Sequence, residues 1–448
     1  MSILSAAGRE LLGRLAGEDI DPQRALELSE SLRAQYPAEL IAAALTQQAL
    51  RTAARAKFSK ADLMLFTRAG LEQASSDLTA RHAASRFTGS RVIADLCCGI
   101  GGNLIALAAL AAADPRDDRA IRESSQHSAL KSLRDHGPLV VGVDADQVSL
   151  EFARHNVAVR APGARAAFVR GDVTKLPLRG IEAVFIDPAR RDGQRRLPAG
   201  QSRPALRWCL GLADAVPRVG IKAAPGLPRE LVPPEWEAEF VAVGRDLKEA
   251  LLWSPALTGG ITRRATVLPS GDTLTASASA QARGAQPMGA KAGTAEAAAG
   301  MSSGEPARLG APGAYLLDPN PAVTRAGLVT DLASLTETWQ IDPKIAFLSS
   351  DQLVRTPFAR TLRVVESAPW HEKRFARRLR ELGIGSADIR RRGLAGDVAQ
   401  IHRRLGLRGP GSATIVLTRV ADRPWGLICV PADPPPSLDR NDEPLPLP

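Results

Sequence analysis

Four carboxylates close four short apolar runs in this chain of 448 residues: Asp95 in "VIADL", Asp144 in "LVVGVDA", Asp172 in "AAFVRGD" and Asp187 in "IEAVFID". Between the first run and an Ala/Leu stretch lies "DLCCGIGGN", with glycines at 99, 101 and 102 beside vicinal Cys97 and Cys98. Glycines in such a loop let the backbone turn tightly and approach a ligand without a Cβ clash. Asp95 can meet a ligand ammonium, directly or through water. Asp144 can accept both hydroxyls of a ribose, Asp172 can receive the exocyclic amine of an adenine, and Asp187 points into the crevice. Read through its sulfurs, the same loop would be a metal or redox site. The chain has only two other cysteines, Cys209 and Cys429. No second pair completes a zinc ribbon or a disulfide framework, and the six histidines show no metal spacing. No metal is expected.

Those acids need a scaffold that brings four strand ends to one edge. From Arg91 onward strand-like and helix-like runs alternate: "VIADL", "NLIALAALAAA", "LVVGVDA", "VSLEFARHNVAVR", "AAFVRGD", "IEAVFID", "RPALRWCLGLADAVP" and "VGIKAAP". This alternation implies βαβ units on an open, mostly parallel sheet, with a ligand at the carboxyl ends of its strands. "EAEFVAVGR", "EALLWSP" and "RRATVLP" follow closely enough to form an antiparallel end to that sheet. Residues 1–85 space their apolar positions by three and four and read as helices. The expected class is α/β: a Rossmann-like sheet over 86–269, a helical region before it, and a second, smaller α/β domain over 313–432. Residues 270–312 are small and polar, too poor in large apolar side chains to offset their ordering entropy, and read as a disordered linker. A Pro-rich tail, 433–448, ends the chain. Asp144 lies 42 residues after Gly102, against about 20 in the usual dinucleotide fingerprint. The charged stretch 113–137 accounts for the excess as an inserted surface loop or helix.

Lys plus Arg number 58 against 48 Asp plus Glu, a net charge of +10. The balance favours a polyanionic partner, nucleic acid first, although an Arg-rich compositional bias gives the same number. The first twenty residues lack a signal-peptide core. No apolar run approaches the roughly 18 residues of a membrane helix, so a cytoplasmic protein without membrane contact is expected.

The order of elements resembles the class I S-adenosylmethionine-dependent methyltransferases, and "DLCCGIGGNLIALA" is similar to the loop of their trimethylguanosine-synthase-like group. The resemblance spans roughly 57–268. It implies S-adenosyl-L-methionine as cofactor, with Asp95, Gly99, Gly101 and Asn103 on its methionine part. It likewise implies Asp144, with Ala145 beside it, on the ribose, and "GDV", Asp172 and Val173, along the adenine. Cys97 and Cys98 would be small packing residues against the cofactor. "LFTRAGLEQASSDLTARHAASRF" looks like the helix that caps the cofactor in that group.

For the acceptor, the stretch after the fourth strand is "DPARR". Amine-directed relatives carry Asn or Asp, two prolines and an aromatic there; Asp187 and Pro188 remain, while Ala189 and Arg190 replace the rest. Stacking of a base on an aromatic is unsupported here. Asp187 is the candidate for orienting the acceptor or taking its proton, and Arg190 for clamping a phosphate or stacking through its guanidinium plane. "DPARRDGQRR" also resembles a stretch of the uridine C5-methyltransferases. These need a cysteine nucleophile after the next strand, where this chain reads "VGIKAAPGLP".

Residues 313–432 resemble the THUMP-like domain that accompanies such enzymes in bacteria, which implies RNA as partner. Eleven Lys or Arg face four acids within 371–408, a stripe that can track a phosphate backbone or simply be a solvated helix face. Three functions stay open: a methyltransferase acting on RNA, a nicotinamide-linked oxidoreductase, and a non-catalytic cofactor-binding RNA-binding protein.

Overall fold

The computed structural model describes residues 3–110, 137–192, 195–197, 200–277 and 308–432. The expected insertion (all but its last residue), the body of the expected linker (278–307) and the tail lie outside the described residues. The chain divides into two compact units: Met1–Glu239 with Glu249–Gly259, and Phe240–Lys248 with Gly260–Pro448.

The first unit opens with five helices: α1 Ala6–Arg14, α2 Pro22–Leu32, α3 Ala38–Ala54, α4 Arg68–Gln73 and α5 Asp77–Ser85. Local signals start them. Asp21 accepts from the Arg24 N–H ahead of a proline at the first helical position, and Thr67 and Ser76 cap α4 and α5 through their hydroxyls. The α/β part follows: β1 Val92–Leu96, α6 Gly102–Ala108, β2 Leu139–Asp144, α7 Gln147–Arg160, β3 Ala166–Arg170 and β4 Ala183–Ile186. A two-stranded ribbon, β5 Arg191–Asp192 with β6 Arg195–Arg196, and the short helix α8 Leu206–Gly211 lead to β7 Arg218–Ala223. Two strands, β8 Glu237–Val243 and β9 Asp246–Trp253, run through both units.

In the first unit the strand order is β9-β7-β4-β1-β2-β3. All neighbours are parallel except β7 and β9, where Lys222 lies opposite Leu251. The order reverses at β1, whose two neighbours are β2 and β4, and a ligand of a doubly wound sheet sits outside such a reversal. Beneath it Phe87 meets Phe185 and Trp253 edge-on, with centroids 6.2 and 5.8 Å apart.

In the second unit β10 Ile261–Leu268 and β11 Asp272–Ser277 form an antiparallel hairpin. This corrects the expected linker, whose first residues are a strand: Thr273, Leu274 and Thr275 supply the β-compatible side chains its composition concealed. Its far end is ordered too, since Gly310 N–H donates to Gln340 O and Trp339 Nε1 to Ala311 O. A seven-stranded sheet follows in the order β13-β14-β12-β15-β18-β17-β16. The strands are β12 Tyr315–Pro319, β13 Trp339–Gln340, β14 Leu348–Ser350, β15 Ala359–Pro369, β16 Ile384–Arg391, β17 Gly411–Val420 and β18 Arg423–Pro431. Its helices are α9 Pro321–Ala326, α10 Val329–Leu335, α11 Glu372–Glu381 and α12 Val398–Leu405. Phe375 and Leu379 of α11 and Leu405 of α12 bury against Ile384, Ile415 and Ile428.

Candidate functional site

Parallel pairing fixes which residues share an edge. Asp95 is the penultimate residue of β1, opposite Gly142 of β2 and Phe185 of β4. Asp144 ends β2, Asp187 follows β4, and Lys222 is penultimate in β7. Backbone bonds hold the loops together above the strands: Cys98 N–H donates to Val143 O and Asp187 N–H to Leu96 O.

The glycine loop crosses this edge with Cys97, Gly99 and Gly101 at φ of 59, 52 and 89°. A Cβ on Gly101 would come within 3.3 Å of Ala153 on α7, so this position requires glycine both for its backbone angle and for close approach. Asn156, fully buried on α7, accepts from Leu65 N–H and donates to Leu65 O and Ile100 O. One amide thereby ties the N-terminal region to the loop.

Between loop and cap lies a cavity of about 370 Å³, inside the roughly 300–1,000 Å³ range of small-molecule sites. Thr67, Gly70 and Gln73 of the α4 segment form one wall; Cys97, Gly99, Asn103, Asp144 and Asp187 stand among the others. The helix expected to cap the ligand therefore faces the glycine loop. Asp95, Gly101, Ala145, Asp172, Val173, Pro188 and Arg190 are not in the lining. Asp172 is exposed, caps a short 3-10 turn and accepts from the Thr174 N–H and hydroxyl. It follows Gly171, whose N–H donates to Asp144 O at 3.0 Å, which sets "GDV" beside the end of β2.

The acids differ in their partners. Asp144 Oδ2 accepts from Gly99 N–H at 2.8 Å and Oδ1 from Asp146 N–H at 2.9 Å, which fixes the carboxylate at the cavity wall. Asp95 is 1% exposed, and neither of its oxygens has a well-formed hydrogen bond, although the Leu104 N–H favours the charged form. Burial, then the charges of Asp187 and Asp144, push its pKa well above the usual carboxylate range, while Lys222 and the Leu104 N–H pull the other way. A buried acceptor without a well-formed hydrogen bond is costly; a cationic or N–H-bearing ligand group placed beside this loop would relieve it. The residues present thus fit a ligand with an ammonium at one end and a vicinal diol further along.

Lys222, Glu249 and Ser75 complete the site and escaped the sequence reading. Lys222 Nζ lies 2.8 Å from Asp187 Oδ2 and 3.9 Å from Glu249 Oε2, and donates to Gln73 O. Burial opposes the ammonium, but Asp187 and Glu249 outweigh it and raise its pKa, so the lysine is charged. Glu249 is moved up by burial against the opposing pull of Lys222. Ser75 donates to Glu249 Oε2 at 3.3 Å. The signal available was a lysine inside the apolar strand "VGIKAA" and a glutamate inside "KEALLW".

No thiol is activated. Burial pushes Cys97 and Cys98 far up, and Cys209, on α8, up to about 12. At neutral pH all three are protonated, which suits packing and not nucleophilic attack. Among the described residues no group of His, Cys, Asp and Glu could hold a metal ion, and no helix is long and apolar enough to cross a membrane.

In the second unit the basic stripe is split by ion pairs. Arg374 and Arg378 pair with Glu366, Arg377 with Glu381, Arg404 with Glu372 and Arg390 with Asp388. Alternation at the end of β16 and into the residue after it sets Arg390 and Arg392 toward Asp318, while Arg391 donates to Leu394 O. The run "RRR" is accordingly not a uniform phosphate-tracking face.

The profile of the THUMP domain-like family matches residues 359–431, and that of a domain of unknown function matches residues 2–54. Over its fold the chain is similar to a protein of Porphyromonas gingivalis W83 with a provisional methyltransferase assignment: TM-score 0.66 at 17% identity, covering 93% of this chain and 100% of that one. By sequence it is similar to two proteins of Mycobacterium tuberculosis, strains CDC 1551 / Oshkosh and ATCC 25618 / H37Rv, each named an uncharacterized S-adenosylmethionine-dependent methyltransferase. Identity is 34% over 361 residues, 80% of this chain and 85% of each relative. With that identity over so much of both chains, this chain belongs to the S-adenosylmethionine-dependent methyltransferases.

Proposed function

We propose that the chain transfers the methyl group of S-adenosyl-L-methionine to a nucleotide of RNA. The observation that carries the cofactor half is the cavity at the β1 reversal, where Asp144 is held by two backbone N–H groups and buried Asp95 has no well-formed hydrogen bond. In this reading Asp144 takes the ribose hydroxyls, and Asp95 meets the methionine ammonium across the loop of Cys97, Gly99, Gly101 and Asn103. Ala145, Asp172 and Val173 border the adenine from the rim. The cofactor supplies an electrophilic methyl on a sulfonium, so the protein's task is alignment and water exclusion.

Asp187 is the acceptor-side group. Its ion pair with Lys222 fixes one oxygen, and the carboxylate lines the cavity. It can orient an acceptor hydroxyl or amine and take the proton that the acceptor loses. Pro188 stiffens the turn that presents it. Arg190 lies near enough for its charge to oppose that of Lys222, which supports it as a second cation on the acceptor side, for a phosphate or a base plane. Membership of the trimethylguanosine-synthase-like group is supported by the loop and the α4 wall, and "DPARR" departs from that group by a proline and an aromatic. The RNA half is supported by the THUMP domain-like match and the basic composition.

Two experiments test it. Calorimetric titration with S-adenosylmethionine and with NAD should give saturable heat for the first alone; NAD binding would return the oxidoreductase. Mass spectrometry of nucleosides from a strain lacking the protein should show one methylated nucleoside missing from RNA, and an unchanged profile would count against RNA.

A further inference from the structure

Three arginines of the second unit converge on one buried acid, and a fourth stands beside them. Asp318, the fourth residue of β12, is 3% exposed. Arg245 reaches its Oδ2 at 2.8 Å, Arg392 its Oδ1 at 2.9 Å and Arg390 its Oδ2 at 3.7 Å. Arg360, opposite Asp318 across the β12–β15 ladder, adds a fourth guanidinium, 3.8 Å from Asp388, which also holds Arg390 at 2.8 Å. The four come from the β8–β9 turn, β15 and the end of β16, so the cluster is made by the fold and by no sequence run.

We propose that Arg245, Arg360, Arg390 and Arg392 form a binding site for a phosphate monoester. Charge is the first argument: four guanidinium groups gather around two carboxylates, an excess of two positive charges that a phosphate dianion would balance. Repulsion within the cluster is visible at Arg245, whose pKa is lowered by burial and, against the pull of Asp318, by Arg390, Arg360 and Arg392.

Preorganisation is the second argument. The guanidinium of Arg392 stacks on Phe347 at 4.7 Å and donates to Ala346 O. Arg245 follows Gly244, whose N–H donates to Leu268 O and whose carbonyl accepts from Asn320 Nδ2. The heads are held in place before a ligand arrives, which lowers the ordering cost of binding. Access is the third: the four side chains keep between 30 and 41% of their surface exposed while the acid beneath them keeps 5%. Planar guanidinium forks on a rigid base match the oxygens of a phosphoryl group. Arg360 has the longest ion pair of the set, 3.8 Å to half-exposed Asp388, so its guanidinium is the least committed of the four.

The site stands on the geometry of the second unit and not on the RNA reading, and the test separates the two. Inorganic phosphate is titrated into the full chain in a calorimeter, and thermal unfolding is followed with phosphate replacing chloride at constant ionic strength. Saturable heat and a phosphate-dependent rise in melting temperature are expected. Arg360→Gln, chosen because its ion pair is the least embedded, should weaken binding about tenfold, the scale of one charge-assisted bond. Arg360→Lys should fall between the two. If either substitution lowers the baseline melting temperature, the phosphate-induced increment still reads the site. A 5′-phosphorylated oligoribonucleotide that binds more tightly than its 5′-hydroxyl twin, and competes with phosphate, assigns the site to a strand end. Phosphate binding without that preference assigns it to a free phosphate compound. No saturable heat and no increment beyond chloride overturn the proposal, whatever RNA the protein methylates.

Discussion

Replacing Lys222 with methionine removes the cation between Asp187 and Glu249 while keeping a similar volume. Lys222 and Glu249 expose 4 and 5% of their side chains, and Asp187 21%. Breaking a buried ion pair from one side costs roughly 3–5 kcal/mol, because the remaining charge is stranded. Asp187 can turn part of its charge to the cavity, so the lower end applies: about 3 kcal/mol at pH 8. For a domain of this size that is a fall in melting temperature of roughly 6–12 °C. The loss should shrink as pH drops. Burial already raises the Glu249 pKa, and without Lys222 it rises further; an acid whose folded pKa exceeds its unfolded value favours folding below the unfolded pKa and loses that contribution as pH climbs. The double variant Lys222→Met/Glu249→Gln should recover about half of the deficit at pH 8, since one stranded charge is gone. Urea denaturation of the three proteins at pH 8 and pH 5 measures all of this. A deficit under about 1 kcal/mol at pH 8, or a double variant no better than the single, would refute the buried ion-pair account.

Asp144→Ala leaves the ribose diol without its carboxylate and should weaken S-adenosylmethionine binding by on the order of 1.5–3 kcal/mol, read by calorimetry; unchanged affinity would move the ribose elsewhere. Gly101→Ala meets both a φ of 89° and Ala153 at 3.3 Å, and should lose roughly 1–2 kcal/mol or more of stability; a neutral effect would show that the loop relaxes freely. His82, on α5, donates to Glu239 Oε1 at 2.7 Å, and Glu239 raises its pKa against the effect of burial. Its contribution is therefore complete below about pH 6.5 and is lost as pH rises through the raised value. Thermal melts of the wild type should show that decline, and His82→Gln should flatten it; an equal slope in both would remove His82 as its source.

Much of the crevice that forms the candidate site was legible because its signals are local. A glycine loop after one strand and an acid at the end of each of four strands depend only on residues close in sequence, and parallel pairing then aligns them. Lys222, Glu249 and Ser75 were not legible as partners: they are far apart in the chain, the first two meet because β9 pairs antiparallel with β7, and Ser75 joins them from the turn between α4 and α5. Each alone reads as an oddly placed charge or a plain serine. Strand β11 was missed for the opposite reason, since "GDTLTAS" has too little apolar bulk to announce itself and takes its order from pairing with β10. The arginine run misled by proximity in sequence: a strand's two-residue period sends Arg391 away from Arg390 and Arg392, and the cluster these two join draws on Arg245 and Arg360 from other elements.

In the proposed function one crevice holds S-adenosylmethionine and presents Asp187 to an RNA acceptor. Incubation of the protein with tritiated S-adenosylmethionine and bulk RNA from a strain lacking it, followed by nucleoside analysis, tests this most directly. The expected result is label in one methylated nucleoside, lost with Asp187→Asn while calorimetric cofactor affinity stays unchanged. Full transfer by Asp187→Asn, or cofactor bound by the wild type with no label entering RNA, would contradict the account.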